Sequence, residues 1–317
     1  MEKKSLFHYN LKILKVSQLA AIAVYDCIGK KDEVLADKAA VESMRSELNK
    51  LDFRGTIVIG EGERDKAPML FIGEKVGNNK SNLQFDIALD PLEGTKITAN
   101  NEKNALTVIA LGDQNSFLNA PDVYMEKIAV GPGLPNNLLD LDNPLEDTLE
   151  KLAFYKKKKV ENISVCFLNR PRHKKIFDIV NKKKCKKFLL PDGDIFGAIS
   201  TSIKKFNIDL YIGIGGAPEG VLAASALKCL NGQMQCRLIF NNSQQKKRAM
   251  KMGIKNLKRK YQIEDLIKKD AIFVATGVTD GYLLRGIKKK KNIFETHSLT
   301  ISTKTKKINF KKTKFKI

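Results

Sequence analysis

Tryptophan is missing from this chain of 317 residues, and histidine occurs three times, at His8, His173 and His297. Three scattered imidazoles exclude a histidine-rich metal centre, so a bound metal would have to take oxygen ligands. The five cysteines (Cys27, Cys166, Cys185, Cys229 and Cys236) form no CxxC pair, and their number is odd. That excludes a zinc framework or a disulfide scaffold and leaves small, buried free thiols. No run of about 18 apolar residues exists, which excludes a membrane-spanning helix. The first residues, Met1 to His8, are partly basic but lack an apolar core of signal-peptide length. The expected location is the cytoplasm.

Acid is in short supply too: 35 Asp and Glu stand against 57 Lys and Arg, a formal charge of +22. From Gly286 to Ile317 there are eleven lysines, no arginine and one acid, Glu295. Surfaces that read or stack on bases favour arginine and aromatic side chains. Here arginines are few and lysine is spread through nearly every loop, so the surplus reads as solvated surface rather than a nucleic-acid interface. The same field would still draw in an anionic small molecule. A polyanion-binding protein is the alternative from outside the enzymes, and it leaves the acids described next unexplained.

What is present is a globular composition, 43% apolar and 29% charged, in a chain longer than one core usually serves. Helical spacing of apolar residues predicts helices over 11–29 and 34–51. Gly55 to Gly60 is a β-branched run between glycines and reads as a strand. A helix is expected over 67–75 and strands over 85–89 and 105–111. After a turn-rich middle, strands (162–168, 186–190, 208–214) alternate with helices (173–183, 195–205, 219–230). A basic helical segment follows over 242–269, then a strand over 271–276 and an edge strand or frayed end after Ser298. Alternation of this kind indicates an α/β protein. Two lobes are expected, over 1–160 and 161–317.

The most informative segment is Asp90-Pro91-Leu92-Glu93-Gly94-Thr95, at the end of the apolar run Phe85 to Leu89. Two carboxylates three residues apart, on a turn stiffened by proline and freed by glycine, suit a hard divalent cation placed against a phosphate. Other acids also fall where elements begin or end: Asp37, then Glu61, Glu63 and Asp65, then Asp192 and Asp194, then Glu219. Clustered acids repel each other unless cations sit between them. Taken singly, each has an ordinary reading as a helix cap, a dipole partner or a surface ion pair. The glycine-rich turn Gly213 to Gly220 enters a helix and offers backbone N–H groups to an anion. It is neither a Walker loop nor a dinucleotide fingerprint. Arg170-Pro171-Arg172 follows a strand and suits bidentate phosphate binding.

With these residues in view, the chain resembles the class II fructose-1,6-bisphosphatases of bacteria over about residues 10 to 300. The segments that carry it are GTIVIGEGERDKAPMLFIGEKVG (55–77), DIALDPLEGT (86–95), NAPDVYMEKIAVGPG (119–133), RPRH (170–173), PDGD (191–194) and IGGAPEGV (214–221). The resemblance implies a two-lobed α/β fold of the lithium-sensitive phosphatase type, close to inositol monophosphatase. It also implies Mn²⁺ or Mg²⁺, and hydrolysis of the 1-phosphate of fructose 1,6-bisphosphate in gluconeogenesis. Some relatives also act on sedoheptulose 1,7-bisphosphate, and another metal-dependent sugar or inositol phosphatase is the alternative. Carried over by position, Asp37 and Glu61 match one set of metal ligands, and Asp90, Glu93 and Glu219 match a second. Thr95 with Asp65 matches the pair that orients the attacking water. Glu93, Gly94, Thr95, Tyr124, Arg170, Arg172, Asp192, Asp194 and Gly216 match the substrate contacts. The first lobe would then hold most metal ligands, and the second the substrate residues and Glu219. A sugar bisphosphate is the expected partner, with neither nucleic acid nor membrane, and the assembly a homodimer or homotetramer. Family members often have lysine at the position of Arg170, and the stretch 240–252 is shorter here than usual.

Overall fold

The computed structural model describes residues 5–60 and 69–316. The chain forms two compact units, one discontinuous (Met1–Leu118 with Lys268–Ile317) and one continuous (Asn119–Ile267). This division differs from the expected boundary at residue 160. The strand Tyr124–Val130 lies inside the second unit's sheet, and the chain returns to the first sheet at Ala271. A chain that leaves a sheet and comes back gives no single boundary in sequence.

The first unit is built on an eight-stranded sheet. Its order is Lys288–Lys290, Ile293–Ser302, Ala271–Gly277, Leu106–Asp113, Gln84–Glu93, Arg54–Ile59 and Lys75–Gly77, with Asn309–Lys316 also paired to Ile293–Ser302. Arg54–Ile59 and Gln84–Glu93 run parallel, and the remaining pairs are antiparallel. The helices Asn10–Ala23 and Glu33–Asn49 pack on this sheet. Their apolar residues (Ile13, Met44 and Leu48) share one core with Phe85 and Ile87 from a strand and Phe53 just before another. Tyr9, Phe53 and Phe85 pack edge to face with ring centroids 5.1 to 5.4 Å apart, an arrangement that suits the ring quadrupoles. Ser17 on the first helix bonds the hydroxyls of Thr107 (2.7 Å) and Thr276 (2.8 Å), and Thr276 in turn meets Ser298 at 2.9 Å. Buried hydroxyls so satisfied fix the helix over three adjacent strands at little cost.

The second unit holds a six-stranded sheet in the order Lys260–Gln262, Gln233–Ile239, Tyr124–Val130, Leu210–Gly216, Ser164–Leu168 and Lys186–Leu190. The last three run parallel. Ser164–Leu168 is followed by a helix to one neighbour, Lys186–Leu190, and then by a helix to the strand on its other side. The chain therefore reverses direction across this sheet at Ser164–Leu168, and open α/β sheets bind ligands at such a switch.

The expected α/β alternation holds, and most elements fall within a few residues of their predicted spans. Four places differ. No helix covers residues 69–75. Gly73 N–H donates to Ile57 O and Ile57 N–H to Glu74 O, so this backbone is committed to the neighbouring strand. The segment 242–269 is broken into a short helix, Ser243–Lys251, the strand Lys260–Gln262 and a single helical turn, Ile263–Leu266. The stretch after Ser298 completes an interior strand, Ile293–Ser302, and the edge falls to Asn309–Lys316. The strand expected to end at Leu89 runs on to Glu93 through an irregularity between Asp90 and Glu93. All five cysteines are buried free thiols, as expected. Among the described residues, no helix is long and apolar enough to cross a membrane.

Candidate active site

In the first unit the acidic corner is held by backbone. Asp90 sits opposite Val108 and Glu93 opposite Leu106, so Pro91 and Leu92 together face Thr107, a bulge of one extra residue. Asp90 Oδ1 accepts the N–H of Leu92 at 3.1 Å, an Asx turn that braces the bulge. Gly94 follows at φ 91°, and a Cβ there would lie 2.6 Å from the Ile97 side chain. Only glycine fits that conformation and that space. Thr95 opens the short helix Thr95–Ala99, with its Oγ1 3.5 Å from Leu92 O. Glu93 is buried, and Asp90 and Thr95 are half-buried. Asp37 is half-buried on the helix Glu33–Asn49, which packs against this same strand and short helix. The chain entering that helix is tied to them by Gly29 N–H to Thr98 O (3.0 Å) and Lys31 N–H to Ala99 O (2.8 Å). Gly60 follows the parallel strand Arg54–Ile59 at the same end of the sheet. Glu61, Glu63 and Asp65 lie outside the described residues. Among the described residues, no three acids, cysteines or histidines gather into a ready metal cluster. A cavity of about 560 Å³ in this unit, lined by Tyr25, Lys30, Lys103 and Asp280 among others, contains none of the expected residues.

In the second unit the expected substrate residues collect at one edge. The three parallel strands end at Leu168, Leu190 and Gly216, and their loops carry Arg170 and Arg172, Asp192 and Asp194, and Glu219. Tyr124 begins the adjacent antiparallel strand directly opposite Gly216. Arg172 donates from Nε to Ile214 O at 2.9 Å and lies over the exposed Tyr124 ring at 5.3 Å from its centroid. Arg170 meets Asp192 at 3.4 Å, with both side chains more than a third exposed. A pair so wet contributes at most about 1 kcal/mol, so a phosphate can take its place.

Below this rim the charges are buried. Asp194, 6% exposed, pairs with Lys127, 1% exposed, and Lys127 also donates to Gly216 O at 2.6 Å. Glu219 stands in the first turn of the helix Ala217–Cys229, where the macrodipole favours an acid. Desolvation, then the charge of Asp194, pushes its carboxyl up to about 7 while Lys127 pulls the other way. The glycines of this turn leave room for these groups. A Cβ on Gly215 would lie 2.0 Å from Asp194 Oδ2, and one on Gly216 would lie 1.9 Å from Glu219 Oε2.

The structure thus brings together Tyr124, Arg170, Arg172, Asp192, Asp194, Gly216 and Glu219 in one unit. It places Asp37 beside the element bearing Asp90, Glu93, Gly94 and Thr95 in the other. Two residues were not singled out by sequence. Lys127 stands on a strand that pattern alone did not reveal. His173, buried, accepts Ile214 N–H at Nε2 (2.8 Å) and so carries its proton on Nδ1, which donates to Leu168 O at 2.8 Å. The strands Ser164–Leu168 and Leu210–Gly216 pair at Val165–Leu210 and Cys166–Tyr211. Further along, His173 bridges them beneath Arg172. Its place in Arg170-Pro171-Arg172-His173 was the available signal. Desolvation holds its imidazole below the ordinary histidine range.

The family described as bacterial fructose-1,6-bisphosphatase, glpX-encoded, matches residues 8–315. The class 2 fructose-1,6-bisphosphatase of Haemophilus influenzae is 40% identical over 94% of this chain and 93% of its own. Fructose-1,6-bisphosphatase 1 class 2 of Escherichia coli (strain K12) is 42% identical over 94% of this chain and 92% of its own. The D-fructose 1,6-bisphosphatase class 2/sedoheptulose 1,7-bisphosphatase of Trichodesmium erythraeum is 36% identical over 95% and 94%. A solved extragenic suppressor protein suhB from Bartonella henselae aligns with 63% of this chain and 74% of its own, at TM-score 0.35 and 12% identity, a likeness too slight to argue from. By its sequence over nearly its whole length, the chain belongs to the bacterial, glpX-encoded fructose-1,6-bisphosphatase family.

Proposed function

We propose that this chain is a cytoplasmic phosphoric monoester hydrolase that cleaves the 1-phosphate of fructose 1,6-bisphosphate, using Mn²⁺ or Mg²⁺, in gluconeogenesis. Water adds to phosphorus, the bond from phosphorus to the sugar oxygen breaks, and fructose 6-phosphate and inorganic phosphate leave. One observation carries the reading: two arginines, two aspartates and a tyrosine line the strand-end edge of a chain whose family is this one. A bisphosphate needs cationic grip on a second phosphate, and hydroxyls need acceptors.

The donor set fits a hard divalent cation. Its proposed members are carboxylates only, Asp37 and Glu61 for one ion and Asp90, Glu93 and Glu219 for a second. Glu219, raised by burial and by Asp194, is in surroundings that gain from added positive charge. A bound divalent ion would lower the pKa of water and neutralise the leaving oxygen. The chain's own residues do the rest by position. Thr95 orients the attacking water, the role in which the resemblance pairs it with Asp65. Arg170 and Arg172 take the distal phosphate, Arg172 braced on Tyr124. Asp192 and Asp194 accept from sugar hydroxyls, and the backbone at Gly94 and Gly216 lies against the ligand. A homodimer or homotetramer belongs to the same reading and is measured by light scattering.

Phosphate release tests the proposal, with fructose 1,6-bisphosphate, sedoheptulose 1,7-bisphosphate and inositol 1-phosphate compared with and without Mn²⁺ or Mg²⁺. The expected order puts the two bisphosphates far ahead of the monophosphate. The sedoheptulose ester is a second substrate in this reading, because the relative from Trichodesmium erythraeum carries both names. Preference for inositol 1-phosphate would replace the reading with the broader phosphatase class.

A further inference from the structure

Among the described residues, Lys127 is the lysine wholly withdrawn from water. Lysine ordinarily keeps its ammonium solvated and buries only its stem. An enclosed ammonium persists only where ionic and hydrogen-bonding partners surround it. Lys127 has two, Asp194 and the carbonyl of Gly216. Neither comes from its own strand. Asp194 opens the helix that follows Lys186–Leu190, and Gly216 ends the strand Leu210–Gly216.

The surroundings are shaped to admit this side chain. A Cβ on Gly215 would lie 3.0 Å from Lys127 Nζ, and one on Gly220 3.6 Å from its Cδ. Glu219 stands close enough to feel the ammonium's charge, as does Cys236 on the strand Gln233–Ile239. An apolar side chain of similar length would fill the same volume without desolvating a charge. Packing alone therefore gives no reason for a lysine here.

We propose that Lys127 is a positioning residue for the phosphate ester. Its ammonium ties the Asp194 carboxylate to the Gly216 carbonyl, so the two loops present their substrate groups as one rigid unit. The proposal rests on the reading above, in which Asp194 and Gly216 touch the sugar phosphate. It adds a residue that acts through them without touching the ligand.

A double-mutant cycle tests it on the full chain, with wild type, Lys127→Met, Asp194→Asn and the double variant. Each single change is expected to raise KM about tenfold or more while kcat moves by less than about threefold, because ground-state placement is lost. The double variant should lie within about twofold of the worse single one, since both changes remove one arrangement. Lys127→Arg, which keeps charge and donors, should bring KM back to within about threefold of wild type. Calorimetric binding of fructose 6-phosphate to the metal-free protein should weaken in step with KM. An unchanged KM in a folded Lys127→Met, or KM effects that multiply in the double variant, would overturn the proposal. If Lys127→Met does not fold, as judged by circular dichroism, Lys127→Gln takes its place in the same cycle. Wild-type turnover of fructose 1,6-bisphosphate is the separate control on the underlying reading. Should another ester be hydrolysed instead, that reading fails and the cycle is read on that ester.

Discussion

In the discontinuous unit, Asp90 and Glu93 are placed by backbone: a bulge, an Asx turn and a glycine at φ 91°. In the continuous unit, side chains take part: Lys127 pairs with Asp194, and Arg172 lies over the Tyr124 ring as well as donating to Ile214 O. The contrast matches two kinds of chemistry. In the proposed reading, carboxylates that hold a cation gain from a backbone that fixes them beforehand. Groups that recognise a sugar phosphate need their charge balanced before the ligand arrives, and a buried lysine or a stacked ring supplies that.

The largest effects should come from the acids. Asp90→Asn and Glu219→Gln are each expected to lower kcat/KM by about a thousandfold or more, because Lewis-acid stabilisation of several kcal/mol is lost. Thermal midpoints should stay near wild type. A variant that turned over normally at saturating Mn²⁺ would remove its residue from the ligand set.

Recognition residues should behave differently. Arg172→Ala is expected to raise KM for fructose 1,6-bisphosphate by about ten- to a hundredfold, as loss of charge-assisted hydrogen bonds implies. The preference for bisphosphates over monophosphates should shrink with it. Arg170→Ala should do the same more weakly, since its present partner Asp192 is half exposed. A fall in kcat with unchanged KM would place these arginines at the reacting phosphate instead.

Backbone placement can be tested by stability alone. Gly94 and Gly193 share nearly the same positive φ, 91° and 90°. A Cβ on Gly193 meets nothing within 4 Å, whereas one on Gly94 strikes Ile97. Gly193→Ala is expected to cost about 1 kcal/mol in urea unfolding, the strain of the conformation alone. Gly94→Ala should cost about 2 kcal/mol more, from the clash in a packed corner. Equal costs would mean that Ile97 moves aside freely.

The smallest effect is a pH dependence. The folded His173 resists protonation more than an unfolded histidine, whose pKa is about 6.5. As pH falls below that value the unfolded chain gains the proton first, so stability is lost on acidification. His173→Gln should flatten the acid side of the curve of unfolding free energy against pH. An unchanged slope would show that other groups set it.

Much of this was legible in the sequence because the residues are local. Asp90 to Thr95 is one turn, Asp192 to Asp194 another, and Gly213 to Gly220 a third, and each carries its own geometry. The second unit's central strand was not legible. Tyr124–Val130 places Lys127 among its inward residues, so the alternation of apolar and polar side chains breaks where a strand would be recognised. The division into units was hidden for a related reason. Residues 271–302 return to a sheet begun some two hundred residues earlier, and no local pattern announces a long-range pairing. His173 shows only its place beside Arg172, because both partners in its bridge are backbone atoms and one of them, Ile214 N–H, is 41 residues away.

The central claim is that carboxylates of this chain hold the divalent ion on which phosphate release depends. The most direct measurement is turnover of fructose 1,6-bisphosphate by chelator-stripped protein as Mn²⁺ is added back, run beside Asp90→Asn. The account predicts a silent stripped enzyme, full recovery of the wild type with Mn²⁺, and no recovery of the folded variant. Undiminished turnover in excess chelator, or equal recovery of both proteins, would contradict it.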